Sequence, residues 1–107
     1  MTYDEIYSLI ERASAEAKER LSGIEDTSVN LNITGSSGGT IGAAVTGGHL
    51  TVHRVRQLDS DAEITVSADD LYALLSGKLN PVTAMMSGKI RISGNMAKLM
   101  RVINSFR

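Results

Sequence analysis

Residues 76–95 constrain the fold most strongly, because the sequence SGKLNPVTAMMSGKIRISGN places a short apolar helix and a strand between glycine breaks. Asn80 is a favourable N-cap, and Pro81 suits the first helical position, where a missing N–H breaks no hydrogen bond. Residues 81–87 are therefore predicted to form a helix that ends at the following glycine. Polar and apolar residues alternate over 89–93, which predicts a strand with one buried face.

The residues before this segment predict a helix, four strands and a second helix. After a Thr-x-x-Glu capping pattern, apolar residues recur at helical spacing over residues 3–22. Apolar and polar residues then alternate in three stretches joined by glycine turns, which is typical of a three-stranded meander. The stretches are residues 28–34, 40–46 and 49–56. A fourth strand is predicted at 62–66, followed by a helix that Ser67 caps and that extends through Leu75.

The last predicted element is a helix over residues 96–106, which Asn95 caps. Its apolar stripe consists of Met96, Leu99, Met100, Ile103 and Phe106. The elements together predict an α+β fold in one domain, residues 1–107, which should bury about 60 to 70% of the surface that its unfolded chain exposes. Aromatic residues make up only 4% of the sequence. The core is therefore expected to consist of Leu, Ile, Val, Ala and Met.

The composition excludes several classes of function. A net charge of −1 gives no overall field that would attract nucleic acid, so DNA or RNA binding is not expected. The absence of cysteine excludes disulfides and Cys-ligated zinc. The N-terminus is acidic and amphipathic, which argues against a signal peptide, and no stretch approaches the roughly 20 apolar residues that cross a bilayer. A cytoplasmic location is therefore predicted.

Candidate catalytic and metal sites fail on geometry. The glycine-rich loop at residues 35–42 precedes a strand pattern, whereas a phosphate-binding loop of this kind precedes a helix. His49 and His53 lie four residues apart on a predicted strand, which separates them by roughly 13 Å and prevents them from sharing a metal. No motif places a nucleophile beside its base. We therefore predict no enzyme activity, no metal and no cofactor.

An apolar surplus in the second half of the chain is the remaining functional signal. Four methionines fall within residues 85–100, and methionine is common at apolar surfaces that adapt to irregular partners. An ordinary core is one interpretation, and an apolar ligand-binding surface is the other. The candidate ligand-binding residues are Leu71, Leu74, Leu75, Val82, Met85, Met86, Met96, Leu99, Met100, Ile103 and Phe106.

The stretch SGKLNPVTAMMSGKIRISGNMAKLMRVINSF resembles the C-terminal signature of the sterol carrier protein type 2 lipid-transfer domain. In that family a Gly-Lys-x-Asn-Pro element, an apolar helix, a Gly-Lys strand and a Gly-Asn-Met helix occur in this order. The upstream order of helix and strands agrees with the family over nearly the whole length. The resemblance implies a single five-stranded sheet with helices packed on one face, and an apolar tunnel between them that holds sterols, fatty acids or acyl-CoAs.

The sequence as a whole predicts a non-catalytic, intracellular lipid-binding or lipid-transfer protein that holds an apolar ligand in a hydrophobic tunnel. The alternative is an accessory subunit that presents a lipid to a partner protein or docks its apolar groove on it. The expected partners are the ligand, a membrane surface contacted transiently, and a second copy or a partner protein at the C-terminal helix. No Ser-Lys-Leu address ends the sequence, so the resemblance implies no peroxisomal location.

Overall fold

The computed structural model describes residues 1–36 and 38–106, which form five helices and five strands. The helices are α1 (Tyr3–Glu16), α2 (Lys18–Leu21), α3 (Ala68–Leu75), α4 (Pro81–Met86) and α5 (Met96–Asn104). The strands are β1 (Thr27–Thr34), β2 (Gly39–Thr46), β3 (His49–His53), β4 (Ala62–Ser67) and β5 (Ile90–Gly94). Within the described ranges, no helix is both long and apolar enough to cross a membrane.

The strands form one mixed sheet in the order β3-β2-β1-β4-β5. The central pair, β1 and β4, runs parallel with Val29 beside Ala62, and every other neighbouring pair is antiparallel. Because side chains alternate between the two faces, each strand sends its apolar residues to one side. Buried residues of this inner face, such as Ile41 and Ile64, pack against the helices. The predicted α+β fold with a single five-stranded sheet is confirmed.

The connection from β3 to β4 crosses the outer face of the sheet and is held there by Asn30 and Gln57. The Asn30 side chain accepts a hydrogen bond from the Gln57 backbone N–H (2.8 Å) and donates one to the Gln57 carbonyl oxygen (3.0 Å). The Gln57 side chain donates to carbonyl oxygens of β1 and β2. Gly42 leaves room for this connection, since a Cβ there would lie 2.4 Å from the Val55 carbonyl oxygen.

Two short helices begin at the predicted caps. The Asn80 side chain accepts hydrogen bonds from the backbone N–H groups of Val82 (2.9 Å) and Thr83 (3.2 Å). The Asn95 side chain accepts one from the backbone N–H of Lys98 (3.1 Å). Each cap satisfies donors that the first turn of a helix leaves without a partner.

The predicted helix over residues 3–22 is helical over almost all of that range but is interrupted at Ala17 (φ −89°, ψ 5°), which divides it into α1 and α2. The hydrogen bond from the Ala17 N–H to the Ala13 carbonyl oxygen persists at 2.9 Å, and neither glycine nor proline marks the bend. Its effect is to bury Ala17 and Leu21 against Val45, in a second apolar cluster beside the main core. Tertiary packing therefore overrides a continuous helical pattern.

The third strand is also shorter than the predicted 49–56, because Arg54 leaves the sheet. Its guanidinium lies 4.1 Å from the centroid of the Tyr7 ring and 2.6 Å from a carboxylate oxygen of Asp4. The residue therefore fastens α1 to the edge of the sheet rather than extending β3.

Helix α5 ends two residues before the predicted boundary. The backbone N–H of Ser105 lies 3.2 Å from the Arg101 carbonyl oxygen and 3.1 Å from that of Val102, and such shared bonds are common at helix termini. Phe106 therefore follows the helix, and its backbone N–H donates to the Ile103 carbonyl oxygen at 3.0 Å.

Candidate ligand-binding cavity

A small cavity lies between the inner face of the sheet and the helices. Its volume is about 50 Å³ and its wall is apolar. The sheet side of the wall consists of Thr27, Val29, Leu31, Ala43, Val45, Leu50 and Ile64. The helix side consists of Ile10, Leu71, Leu75, Leu99, Val102, Ile103 and Phe106.

The described residues of this wall have no acidic, basic or thiol side chain. Its one hydroxyl, on Thr27, donates a hydrogen bond to the Glu25 carbonyl oxygen at 2.9 Å. General acid–base and nucleophilic catalysis both require a titratable group within reach of the reacting atoms. The arrangement can therefore hold an apolar group but offers no such group to react with it.

The structure brings five of the eleven predicted ligand-binding residues into the cavity wall, and these are Leu71, Leu75, Leu99, Ile103 and Phe106. Three more belong to or pack on the same core without lining the cavity, and these are Leu74, Met85 and Met100. The remaining three are exposed at the surface, with 58% of Val82, 84% of Met86 and 42% of Met96 accessible.

The buried side of helix α5 overlaps the predicted stripe only in part. It buries Leu99, Val102 and Ile103, whereas Met96 is exposed and Met100 is half-buried. Val102 is therefore a wall residue that the sequence interpretation missed. The spacing of Leu99, Val102 and Ile103 was an available signal, since residues at i, i+3 and i+4 share one side of a helix.

The sheet side of the wall was also missing from the predicted residues. Ala43 is the informative case, because it occupies an inward position of β2 between the larger side chains of Ile41 and Val45. A small residue in a row of large inward residues leaves space above the sheet. Alternation identified the face, but the size of the residue at each inward position indicates where space remains.

A groove of about 310 Å³ on the surface adjoins the cavity. It lies between α1 and α3, and its lining includes Leu9, Ala13 and Tyr72. Leu75 and Phe106 line both the groove and the buried cavity. These two half-buried side chains therefore lie between the cavity and the solvent.

The groove carries two cationic side chains near this shared wall. Arg12 and Arg20 line it together with Glu16, and both arginines are exposed. Within residues 1–36 and 38–106, neither arginine makes a salt bridge. The groove thus combines an apolar wall with cations that can bind an anionic group.

The N-terminal end of α5 is fixed by Asp61. The Asp61 carboxylate accepts a hydrogen bond from the Ser28 backbone N–H (2.9 Å), and Lys98 Nζ lies 3.4 Å from its other oxygen. The hydrogen bond from Ser28 is the main cause that holds the pKa of Asp61 below its ordinary value, and the positive charge of Lys98 acts in the same direction. The Asp61 carbonyl oxygen also accepts from the Asn95 N–H at 2.7 Å.

Gly94 permits this close approach of α5 to the Asp61 backbone. It has a φ of +89°, and a Cβ at this position would lie 2.5 Å from the Asp61 carbonyl oxygen. An L residue with a side chain rarely adopts such a conformation and would also collide with the backbone. Helix α5 is therefore anchored where it begins, while the residues at its other end line the cavity.

Comparison with known proteins identifies the family of the chain. The sequence profile of the SCP-2 sterol transfer family matches residues 6–107. Sterol carrier protein 2 of Gallus gallus is 49% identical over 45 residues, which are 42% of this chain and 8% of that protein. The chain thus matches only a small part of the length of this relative.

Solved structures have the same fold. The palmitated SCP2L2 of Aedes aegypti, solved by NMR, superposes with a TM-score of 0.69 at 24% identity, covering 100% of this chain and 96% of that one. The sec-alkylsulfatase Pisa1 of Pseudomonas sp. superposes with a TM-score of 0.73 at 19% identity, covering 81% of this chain and 14% of that one. With a family profile that matches almost its whole length and a fold shared with these structures, the chain belongs to the SCP-2 sterol transfer family.

Proposed function

We propose that this domain is a non-catalytic lipid carrier that encloses an apolar chain between the inner face of its sheet and helices α1, α3 and α5. Membership of the SCP-2 sterol transfer family supports lipid binding or transfer as the class of function. The observation that carries the proposal is the apolar cavity, whose described wall residues offer no titratable group. A burial site without reactive groups suits a carrier.

The ligand must enlarge the cavity when it binds. Ligand pockets usually measure about 300 to 1,000 Å³, whereas this cavity measures about 50 Å³. The helix side can give way more easily than the sheet, whose strands are joined by backbone hydrogen bonds along their length. We infer that Leu75 and Phe106 separate when the ligand enters and that the groove then becomes continuous with the cavity.

The energetics permit binding by apolar contact alone. Burying about ten methylene groups at about 0.8 kcal/mol each contributes about 8 kcal/mol, which corresponds to micromolar affinity before ordering costs are subtracted. Opening the helix side reduces this affinity. The shape and volume of the enlarged cavity therefore determine which chains bind well.

A long-chain fatty acid is the ligand class that we propose. Its acyl chain would fill the apolar cavity, and its carboxylate would remain in the groove near Arg12 and Arg20. The palmitated state of the Aedes aegypti structure supports this class, because that protein has the same fold. A sterol, as in the family name, is a broader ligand and would require a larger displacement of the helices.

A second function is favoured by the lengths of the relatives. The regions of similarity are 8% of the Gallus gallus protein and 14% of the Pseudomonas alkylsulfatase chain. In those chains the domain is therefore a small part of a larger protein. By analogy, this domain would present a lipid to a partner protein or an enzyme rather than carry it freely.

A matched pair of substitutions tests the cavity assignment. Ala43 lines the cavity, whereas Ala44 is its neighbour on β2 and points to the outer face. Ala43→Ile places three more carbon atoms in the cavity and should weaken uptake of a fluorescent fatty acid by at least about tenfold, which is about 1.4 kcal/mol. Ala44→Ile makes the same chemical change and should leave uptake as in the wild type. Equal uptake by the two folded variants would refute the cavity assignment.

The two functions differ in what accompanies the purified protein. A free carrier should yield a stoichiometric fatty acid by native mass spectrometry and exchange it with lipid in solution. A presenting subunit should instead retain one defined protein at equal stoichiometry in a pull-down, and Ala43→Ile should leave that association intact. Stoichiometric protein with no extractable lipid would exclude the carrier function.

A further inference from the structure

Charge is divided unequally along this chain. Residues 1–70 contain all twelve Asp and Glu and five of the Lys and Arg, a net charge of −7. Residues 71–107 contain six Lys or Arg and no acidic residue, a net charge of +6. The small net charge of the whole chain therefore conceals a cationic C-terminal third. Such asymmetry is typical of proteins that bind an anionic surface.

Some of these cations are neutralised by the acidic part of the chain, and others are not. Lys98 pairs with Asp61, and Arg101 pairs with Glu25. Lys78, Lys89 and Arg91 make no salt bridge with any residue in the described ranges, and all three are exposed. Three uncompensated cations therefore flank α4, one before it and two after it.

Helix α4 presents an apolar strip between these cations. Pro81 and Ala84 are buried, whereas 58% of Val82 and 84% of Met86 are exposed. Val82 and Met86 are four residues apart, so they lie on the same side of the helix. An exposed apolar strip on a helix whose other side is already packed is free for an external partner.

The chain geometry keeps Lys89 close to this strip. The Lys89 N–H donates to the Ala84 carbonyl oxygen at 2.9 Å, which holds Lys89 at the C-terminal end of α4. Ile90 is buried on the inner face. Arg91, the next residue of β5, therefore lies on the outer face of the sheet, opposite the helices.

We propose that α4, with Lys78 before it and Lys89 after it, forms a docking surface for an anionic lipid bilayer. Val82 and Met86 enter the interface between headgroups and acyl chains, while Lys78 and Lys89 contact lipid phosphates and carboxylates. Apolar residues combined with cations are the features that hold peripheral proteins at such interfaces.

Lipid fits this surface better than nucleic acid does. An exposed valine and an exposed methionine gain free energy by leaving water for acyl chains, whereas a nucleic-acid backbone offers them nothing comparable. Single-stranded binders stack bases on aromatic rings. The exposed residues of α4 include no aromatic ring.

The position of Lys78 connects the docking surface with the groove. Lys78 Nζ lies 5.5 Å from the centroid of the Tyr72 ring, and Tyr72 lines the groove. When the protein docks through α4, its groove therefore lies close to the bilayer. Docking itself needs no ligand in the cavity. The docking proposal can therefore be tested separately from the proposed carrier function.

Vesicle co-sedimentation tests the charges. The probe is the full chain mixed with phosphatidylcholine vesicles, with and without phosphatidylserine. Each cation near an anionic surface contributes about fivefold in affinity, so Lys89→Gln should weaken binding about fivefold and Lys89→Glu should weaken it further. Lys18→Glu is the matched control, because Lys18 is exposed on α2 and distant in sequence from α4. It should bind phosphatidylserine vesicles like the wild type.

A second pair of variants tests the apolar strip. Replacing Val82 and Met86 by serine should reduce vesicle binding by about tenfold or more, since two apolar contacts with the interface are lost. Replacing Val55 and Leu58 by serine is the control, because these residues are also exposed, at 65% and 90%, but lie in the connection from β3 to β4. Circular dichroism of all variants should match that of the wild type, because the substituted side chains are exposed.

Three outcomes would overturn the proposal: equal vesicle binding by Lys89→Glu and Lys18→Glu, equal binding by the two serine variants, or binding to single-stranded RNA in preference to vesicles. Uptake of a fluorescent fatty acid from solution is measured on the same samples. It should be unchanged in the α4 variants, since Val82 and Met86 do not line the cavity. Loss of vesicle binding with normal uptake supports docking, whereas absence of uptake by the wild type would refute the carrier function alone.

Discussion

Leu75 and Phe106 are shared by the wall of the buried cavity and the wall of the surface groove. Leu75 ends α3, and Phe106 follows α5, so the two side chains come from the ends of separate elements. Small movements of either end would join the groove to the cavity. On the proposed entry route, access of a ligand would depend on these two side chains and would leave the hydrogen bonds of the sheet unchanged.

Phe106→Ala should open this wall. Because Phe106 is only half-buried, we expect a loss of about 1 to 3 kcal/mol in the free energy of unfolding, less than for a fully buried phenylalanine. Stopped-flow measurements should show faster uptake and faster release of a fluorescent fatty acid. Leu9→Ala changes the groove but not the shared wall, so it should leave both rates near those of the wild type. Slower release from Phe106→Ala would contradict the gating role.

Asn80→Ala removes the side chain that caps α4. The backbone N–H groups of Val82 and Thr83 then lose their acceptor, and the free energy of unfolding should fall by about 0.5 to 2 kcal/mol. Chemical denaturation provides the measurement. Asn80→Asp retains an acceptor oxygen and should restore most of the stability, so equal losses in the two variants would argue against a capping role.

Acid should destabilise the anchor of α5. The pKa of Asp61 is lowered from its ordinary value of 3.8, chiefly by the hydrogen bond from Ser28 and also by Lys98. The unfolded chain therefore binds the proton more readily. The stabilisation is complete above the ordinary pKa and is lost as the pH falls through the lower folded value. Urea denaturation at a series of pH values should show this decline.

Asp61→Asn tests the origin of that decline. The variant has no carboxylate at this position, so its free energy of unfolding should depend less on pH in the acid range than that of the wild type. Part of the dependence should remain, because the pKa values of Glu5 and Glu63 are also lowered, through hydrogen bonds from Thr2 and from Arg56 respectively. An identical pH dependence in the variant and the wild type would show that Asp61 contributes nothing.

The start signals of the helices and the faces of the strands could be predicted from the sequence, because both depend on local chemistry. Asn80 and Asn95 cap the helices that follow them, and strict alternation placed β1 and β2 correctly on the sheet. The bend at Ala17 could not be predicted, because the local hydrogen bond persists and the gain comes from burying Leu21 in a distant cluster.

The candidate site was predicted in part for a similar reason. Apolar spacing located Leu71, Leu75 and Ile103, which line the cavity. The same apolar character drew attention to Val82 and Met86, which are exposed. A sequence pattern shows that a side chain is apolar. It does not distinguish a side chain that packs in the cavity wall from one that is exposed at the surface.

Ligand binding should order α5. The helix has nine residues, and isolated helices of this length are marginal in water. At about 100-fold excess of ligand over Kd, amide exchange in α5 should slow by up to about a hundredfold. Hydrogen–deuterium exchange with and without fatty acid provides the comparison. Protection of β3 with no change in α5 would show that the ligand binds elsewhere.

The central claim is that an acyl chain occupies the space between the sheet and the helices. Methyl NMR with an equimolar spin-labelled stearic acid tests it most directly, because paramagnetic broadening reports distance from the label at each methyl group. Resonances of Leu71, Leu99 and Ile103 should broaden strongly, whereas those of exposed Val55 and Leu58 should not. Broadening confined to exposed methyl groups, with the cavity resonances unchanged, would contradict the account.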